Sequence, residues 1–175
     1  MATMTRSLQV RWIDSVKILG LLTILSTAIG CAGGQEVNPE AIAQAKQVWT
    51  TAGIRDYDLE WTVTGAQNNH YYVTVRDGDV RKVESVQSDG RRFELHPHQT
   101  RFYSVDGLFL TIADELALLK TDQPFGQPPG TKVVMRFKPD KKLGYPLWYR
   151  RDVMGTALAI AIDVVKLVPL ASNAN

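Results

Sequence analysis

The sequence predicts an α+β domain in which an antiparallel sheet of about six strands carries two helices on one face. The first indication is residues 71–86, where two β-rich runs flank Asp77-Gly78, a dipeptide that favours the tight turn of a hairpin. The second is a pair of segments, residues 39–52 and 104–119, whose apolar residues recur at helical spacing. The third is another hairpin pattern around a turn at residues 139–144. The predicted order is helix, three strands, helix, three strands.

Both predicted helices have recognisable ends. Asn38 can cap the first helix, Pro39 occupies its first position and Gly53 ends it. Ser104 can cap the second helix. The apolar faces are Ile42, Ala45, Val48, Trp49 and Ala52 in the first helix, and Leu108, Phe109, Ile112, Leu116 and Leu119 in the second. We expect both faces to cover the sheet, with Trp49 as a core residue.

The strands are expected at residues 57–64, in the two arms of 71–86, and at 132–138, 145–153 and 157–168. In the central hairpin a two-residue turn pairs Val73 with Lys82. Val80 and Val83 are three residues apart, so strict alternation would send them to opposite faces. Either a bulge near Arg81-Lys82 restores a common face, or the sheet is apolar on both sides here.

The excess of positive charge lies at the N-terminus. The chain has 20 basic and 18 acidic residues, and residues 1–17 contain three of the basic residues and one of the acidic residues. The remainder therefore holds 17 of each sign. A neutral body argues against a dedicated nucleic-acid-binding protein. The pairs Arg91-Arg92, Lys141-Lys142 and Arg150-Arg151 are expected at solvated turns or strand edges rather than at a polyanion site.

The basic segment is followed by an uncharged apolar run at residues 18–29, which is too short to span a bilayer and typical of a secretory signal. Ala28-Ile29-Gly30-Cys31 resembles the lipobox of bacterial lipoproteins. The resemblance implies cleavage before Cys31, its diacylation and acylation of the new N-terminus. Ala28 stands where such signals usually have Leu, so ordinary cleavage and a secreted protein with a free thiol stay open.

Ala32 follows the cysteine, and by similarity to enteric lipoproteins this favours the outer membrane, facing the periplasm. Because Cys31 is the only cysteine, no disulfide can form within the chain. We therefore expect a signal peptide at 1–30, a flexible tether at 31–38, one domain at 39–170 and a disordered tail at 171–175.

Few residues suggest chemistry. His96 and His98 have no evident third ligand, even with His70, so an exposed loop is favoured over a metal site. Asp163 is expected to face solvent or to pair with a basic strand residue, rather than to act as a general acid or base. Phe125, in the loop at 121–131, is expected to fold back on the sheet rather than to form an exposed contact.

Four segments, read together, resemble a family of small bacterial lipoproteins known only as a domain of unknown function. They are residues 52–57, 73–80, 103–112 and 137–152, in this order. Many members carry a cysteine pair after the first strand, but this chain has Gly-Ala-Gln-Asn-Asn at 65–69, so no disulfide is implied. The family has no known catalytic residues to transfer.

The sequence contains no Gly-rich phosphate loop, nucleophile elbow or zinc-binding helix motif. We therefore expect no enzyme, cofactor or metal site. The favoured hypothesis is a lipid-anchored module of the bacterial envelope whose open sheet face or loops bind a protein or cell-wall partner. The alternative is a carrier or sensor of an apolar ligand, with Trp61, Phe93, Phe109, Phe125 and Trp148 lining the space between helices and sheet. A hydrolase ranks third.

Overall fold

The computed structural model describes residues 33–87 and 89–171; of residues 97–99 it describes the backbone only. The predicted signal peptide, Cys31 and most of the predicted tail lie outside these ranges. Residues 31–175 form one compact unit, and its buried core runs from Val37 to Ile162. In the described part of the chain, no helix is both long and apolar enough to cross a membrane.

The described residues form a single antiparallel sheet with two α-helices. The elements are β1 (Gln35–Glu36), α1 (Pro39–Ala52), β2 (Tyr57–Gly65), β3 (Asn69–Arg76), β4 (Asp79–Val86), β5 (Arg92–Glu94), α2 (Val105–Leu118), β6 (Val133–Pro139), β7 (Pro146–Val153) and β8 (Ile160–Pro169). A 3₁₀ helix at Pro97–Phe102 precedes α2. The strands lie in the order β1-β6-β7-β8-β2-β3-β4-β5. The predicted α+β class with two helices is confirmed, and the predicted succession of helices and strands agrees in outline but differs in detail, because the sheet has eight strands rather than about six.

Two short edge strands add to the predicted six, and one of them corrects the expected tether. Gln35 and Glu36 pair with β6, and the Val37 amide donates to the Met135 carbonyl at 3.0 Å. The Val37 side chain is buried. Pairing satisfies backbone groups that the edge of β6 would otherwise leave open. Residues 33–38 are therefore part of the domain rather than a free linker.

The ends of both helices follow the predicted capping residues. The Asn38 carboxamide accepts from the Ala41 amide at 2.8 Å, and Gly53 ends α1 with a φ of 64°. The Ser104 hydroxyl accepts from the Gly107 amide at 3.0 Å. Leu119 lies just beyond α2 and is exposed, so the predicted apolar stripe ends one turn earlier than expected.

The central hairpin forms with a bulge in β4. Val75 lies opposite Val80, but Thr74 lies opposite Lys82 and Val73 opposite Val83. Arg81 is therefore the extra residue, and the predicted pairing of Val73 with Lys82 is wrong. Because of the bulge, Val80 and Val83 both lie on the buried face of the sheet.

Both helices pack on the same face of the sheet. Tyr57 shows this, because its ring meets Trp49 of α1 edge-on at 5.4 Å and its hydroxyl accepts from the Val105 amide at the start of α2. Trp49 is buried, as expected. The buried residues of the sheet include Leu59, Trp61, Val63, Val73, Val83, Phe137 and Tyr149. Within residues 33–87 and 89–171, no α-helix packs on the opposite face of the sheet.

Candidate functional site

The helix-free side of the sheet, called here the open face, is lined by polar and charged side chains. Alternation along each strand places a second set of residues there, opposite the buried set. In the half of the sheet formed by β8, β2, β3, β4 and β5 they include Asp163, Lys166, Val168, Asp58, Glu60, Thr62, His70, Tyr72, Thr74, Lys82, Glu84, Val86, Arg92 and Glu94. The open face is therefore a mixed-charge surface and not an apolar patch.

Three carboxylates of this surface, those of Asp58, Glu60 and Glu84, contact a neighbouring cation or imidazole. Asp58 pairs with Arg76 at 2.9 Å, and a nitrogen of His70 lies 2.9 Å from Glu60. Lys82 pairs with Glu84 at 3.0 Å. The first two contacts link β2 and β3 through side chains as well as through backbone hydrogen bonds, whereas Lys82 and Glu84 both belong to β4.

A basin of about 440 Å³ opens in the middle of this surface. Its lining includes Asp58, Glu60, Tyr72, Glu84, Arg92 and Lys166. The Arg92 guanidinium lies 4.2 Å from the centre of the Tyr72 ring, which keeps it beside the basin. Partial removal from water, together with the adjacent Glu60, raises the pKa of Tyr72. In the described part of the chain, Lys166 forms no ion pair, so its ammonium group is available to a ligand.

A second concave site lies on the helix side, between α2 and the ends of β2, β3 and β8. This cleft measures about 300 Å³. One wall is an aromatic trio in which the ring centres of Trp61 and Tyr71 are 4.6 Å apart and those of Tyr71 and Tyr103 are 4.9 Å apart. The rest of the lining includes Val63, Leu108, Thr111, Glu115, Ile160 and Ile162. Apolar walls with a few polar groups are typical of small-molecule sites.

A buried polar cluster lies beside this cleft and fastens α2 to β7. Glu115 accepts hydrogen bonds from the Tyr149 hydroxyl at 2.5 Å and from the Arg151 guanidinium at 2.7 Å. Burial and the adjacent Glu115 carboxylate raise the pKa of Tyr149 strongly. Arg151 is only 6% exposed, so the prediction of a solvated Arg151 is wrong. The positive charge of Arg151 is tolerated in the interior because the Glu115 carboxylate neutralises it.

Phe125 covers the other side of Arg151, with the guanidinium carbon 3.9 Å from the ring centre. The prediction that Phe125 folds back on the sheet is confirmed. Asp163 is also placed as expected, because it pairs with Arg150 of the neighbouring strand at 2.6 Å. Arg91 and Arg92 likewise pair with acidic neighbours.

The remaining predicted site residues are scattered. His96 is exposed, the side chain of His98 lies outside the description, and His70 contacts Glu60 on the open face. Within residues 33–87 and 89–171, no group of three or more His, Cys, Asp or Glu residues is placed to hold a metal ion.

The five aromatic residues proposed to line an apolar space do not lie together. Trp61 and Phe109 are in the core on the helix side, and only Trp61 borders the cleft. Phe93 is exposed on β5, and Trp148 lies on the open face with Arg150 at 5.2 Å from its ring.

A scan against models of known protein families finds no match to this chain, and no curated protein matches its sequence. The resemblance to the lipoprotein family therefore stays a hypothesis.

Sequence reasoning missed the residues of the basin. Alternation alone indicates that Glu60, Tyr72 and Glu84 share the polar side of their strands. Lys166 joins them only because β8 pairs with β2, a contact between segments about a hundred residues apart in the chain.

Proposed function

We propose that this protein is a lipid-anchored module of the bacterial envelope that binds a polar, charged partner through the basin on the open face. The supporting observation is the basin itself, where carboxylates from β2 and β4 lie beside the cations Arg92 and Lys166. A ligand that carries both ammonium and carboxylate groups would complement such a surface. The peptide stems of the cell wall have this chemistry, so the wall polymer is the proposed partner.

The arrangement favours binding over catalysis. A general acid at neutral pH is usually a carboxyl group in an apolar pocket, next to a second carboxylate in a different environment. Asp58, Glu60 and Glu84 instead contact Arg76, His70 and Lys82 on an open surface. Such carboxylates are suited to orienting a charged ligand.

The test is co-sedimentation of the purified protein with isolated cell-wall sacculi. We expect Glu84→Gln combined with Lys166→Gln to weaken binding about ten-fold, because it removes one charge of each sign from the basin. The matched control is Glu40→Gln with Lys46→Gln, which removes the same charges from exposed positions of α1. Equal binding by all three proteins, or no sedimentation with sacculi, would refute the proposed partner.

The anchor is tested separately by intact mass. Protein isolated from the envelope should lack residues 1–30 and carry acyl chains at its new N-terminus, and Cys31→Ser should abolish both. An unmodified thiol would remove the anchor from the proposal while leaving the basin to be judged by the sacculus experiment.

The cleft beside α2 supports a second candidate function, which is to carry or sense a small apolar ligand. Its volume of about 300 Å³ and its aromatic wall suit one ring system or a short acyl segment. Mass spectrometry of the native protein would detect a bound lipid or aromatic compound. Thr111→Phe, which places a ring in the cleft, should displace such a compound; retention of the compound would argue against the cleft.

A further inference from the structure

The turn between β6 and β7 carries an unpaired group of cations. Lys138 lies one residue before the end of β6, and Lys141 and Lys142 are exposed in the turn. These three lysines are called the basic corner. The nearest acid in sequence, Asp140, is occupied by the backbone, since its carboxylate accepts from the amides of Lys142 at 2.9 Å and Leu143 at 2.7 Å. In the described part of the chain none of the three lysines forms an ion pair.

The chain enters the domain beside this corner. Glu36 pairs with Arg136 and Gln35 with Phe137 in antiparallel register, and a Cβ built on Gly34 would lie 3.0 Å from the Phe137 carbonyl oxygen, near the end of β6. Residue 31 is three positions before Gly34, and three residues span at most roughly 11 Å. An acyl anchor at Cys31 would therefore hold a bilayer surface close to the three lysines.

Trp148 lies beside Lys138 of the basic corner, because the two residues are opposite each other in the β6–β7 register. Gly34 passes so close that a Cβ built on it would be 2.2 Å from the Trp148 ring. Tryptophan is enriched at the level of lipid headgroups, where its ring meets both apolar and polar surroundings. The basic corner thus combines three cations, an interfacial aromatic residue and the start of the domain.

We propose that the basic corner binds the headgroups of anionic phospholipids and fixes the orientation of the domain on the membrane. The proposal rests on the lipid anchor of the proposed function. Charge complementarity would add a second membrane attachment to the acyl anchor. A lysine near an anionic surface strengthens binding, and the effect decays within a Debye length of about 8 Å. β1 and β6 lie at the edge of the sheet that would face the membrane, and the basin is centred near β3. The basin would therefore lie roughly 25 Å from that edge, at about 4.8 Å for each strand.

The experiment uses residues 31–175 with Cys31→Ser, a unit that contains the whole buried core. Binding to vesicles of phosphatidylcholine and phosphatidylglycerol is measured by co-sedimentation, with pure phosphatidylcholine as the neutral surface. We expect binding to the anionic vesicles only, lost at high salt. Lys141→Gln with Lys142→Gln should weaken it about 25-fold, or five-fold for each lysine.

The matched control is Arg81→Gln with Arg91→Gln, which removes two exposed positive charges at the opposite edge of the sheet. It should bind anionic vesicles like the parent protein. Brominated phosphatidylglycerol should quench the tryptophan fluorescence of the parent and spare that of Trp148→Phe.

Equal weakening by the control and by the double lysine variant would overturn the proposal, as would equal binding to neutral vesicles. Concentration-dependent dimerisation that depends on Trp148 would instead assign the corner to a second copy of the chain and would also overturn it. A failure here leaves sacculus binding intact, and a failure with sacculi leaves vesicle binding intact, so the two proposals are distinguishable.

Discussion

At the scale of single residues, Glu115 supplies the counterion of a buried guanidinium, that of Arg151. Its carboxylate neutralises Arg151 and accepts the Tyr149 hydroxyl, and the Glu115 side chain is only 15% exposed. Glu115→Gln would leave the Arg151 charge buried without a counterion. We expect it to lower the free energy of unfolding by about 3 kcal/mol, measured as a shift of the urea midpoint.

The control for that prediction is Asp163→Asn, which breaks the Arg150–Asp163 pair. Both of these side chains are more than one-third exposed, at 34% and 41%. Water screens such a pair, so the expected loss is below about 1 kcal/mol. Similar losses for the two variants would show that water reaches the Arg151 guanidinium in solution.

Because the pKa of Tyr57 is raised in the fold, the stability of the domain should depend on pH in the alkaline range. Removal from water raises its pKa from 10.0 to about 12, although the Val105 hydrogen bond opposes the shift. Above pH 10 the unfolded chain loses this phenolic proton while the folded chain keeps it, so the unfolded state binds fewer protons and stability falls with rising pH. The contribution is fully present below pH 10 and is lost through about pH 12.

We expect this one group to account for a loss on the order of 2 kcal/mol. Thermal melts between pH 8 and pH 12 measure the loss, and Tyr57→Phe should reduce it by this amount while leaving the contributions of Tyr71 and Tyr149, whose pKa values are also raised. An unchanged profile in the Phe variant would mean that Tyr57 is not the titrating group.

At the scale of elements, the start of α2 depends on a glycine for reasons of space. Gly107 weakens a helix by propensity, and the sequence alone suggests that alanine would improve it. In the fold a Cβ at this position would lie 2.2 Å from the Arg101 carbonyl oxygen of the 3₁₀ helix. Gly107→Ala should therefore destabilise the protein by about 2 kcal/mol, as measured by urea unfolding.

Whether Gly107→Ala lowers or raises the free energy of unfolding shows whether steric packing or helix propensity dominates at this position. Asp114→Ala is the matched control, because Asp114 is exposed in the same helix and its substitution should shift stability by less than about 0.5 kcal/mol. A Gly107→Ala protein that is more stable than the parent would show that the 3₁₀ helix gives way.

Most of the predicted helices and strands were indicated by local sequence patterns. The capping residues Asn38 and Ser104 placed both helix starts, and the spacing of Val80 and Val83 signalled the bulge in β4. Each of these features depends on residues close together in the chain. The short strands β1 and β5 escaped prediction because two or three residues carry no period, and their pairing depends on an open neighbouring edge.

At the scale of the whole molecule, the arrangement of the sheet could not be predicted from local pattern. The two hairpins are joined through β8 and β2, and this contact places Lys166 next to Glu60. Separately, β1 pairs with β6, so that Gln35 lies at the opposite edge of the sheet from β5. The basin is a product of strand order, whereas the lysines of the basic corner belong to one local turn.

This strand order makes the domain one cooperative unit that should fold without residues 1–30. The core includes Val37 next to β1, Val83 in β4 and Ile162 in β8, so opening either hairpin exposes side chains of the other. We expect residues 31–175 to unfold in urea in a single transition, with far-UV circular dichroism and tryptophan fluorescence giving the same midpoint. Trp49 and Trp61 report the helix side of the core and Trp148 the open face. Circular dichroism and fluorescence midpoints that differ within the parent, but coincide within Trp148→Phe, would reveal that the part around Trp148 unfolds independently.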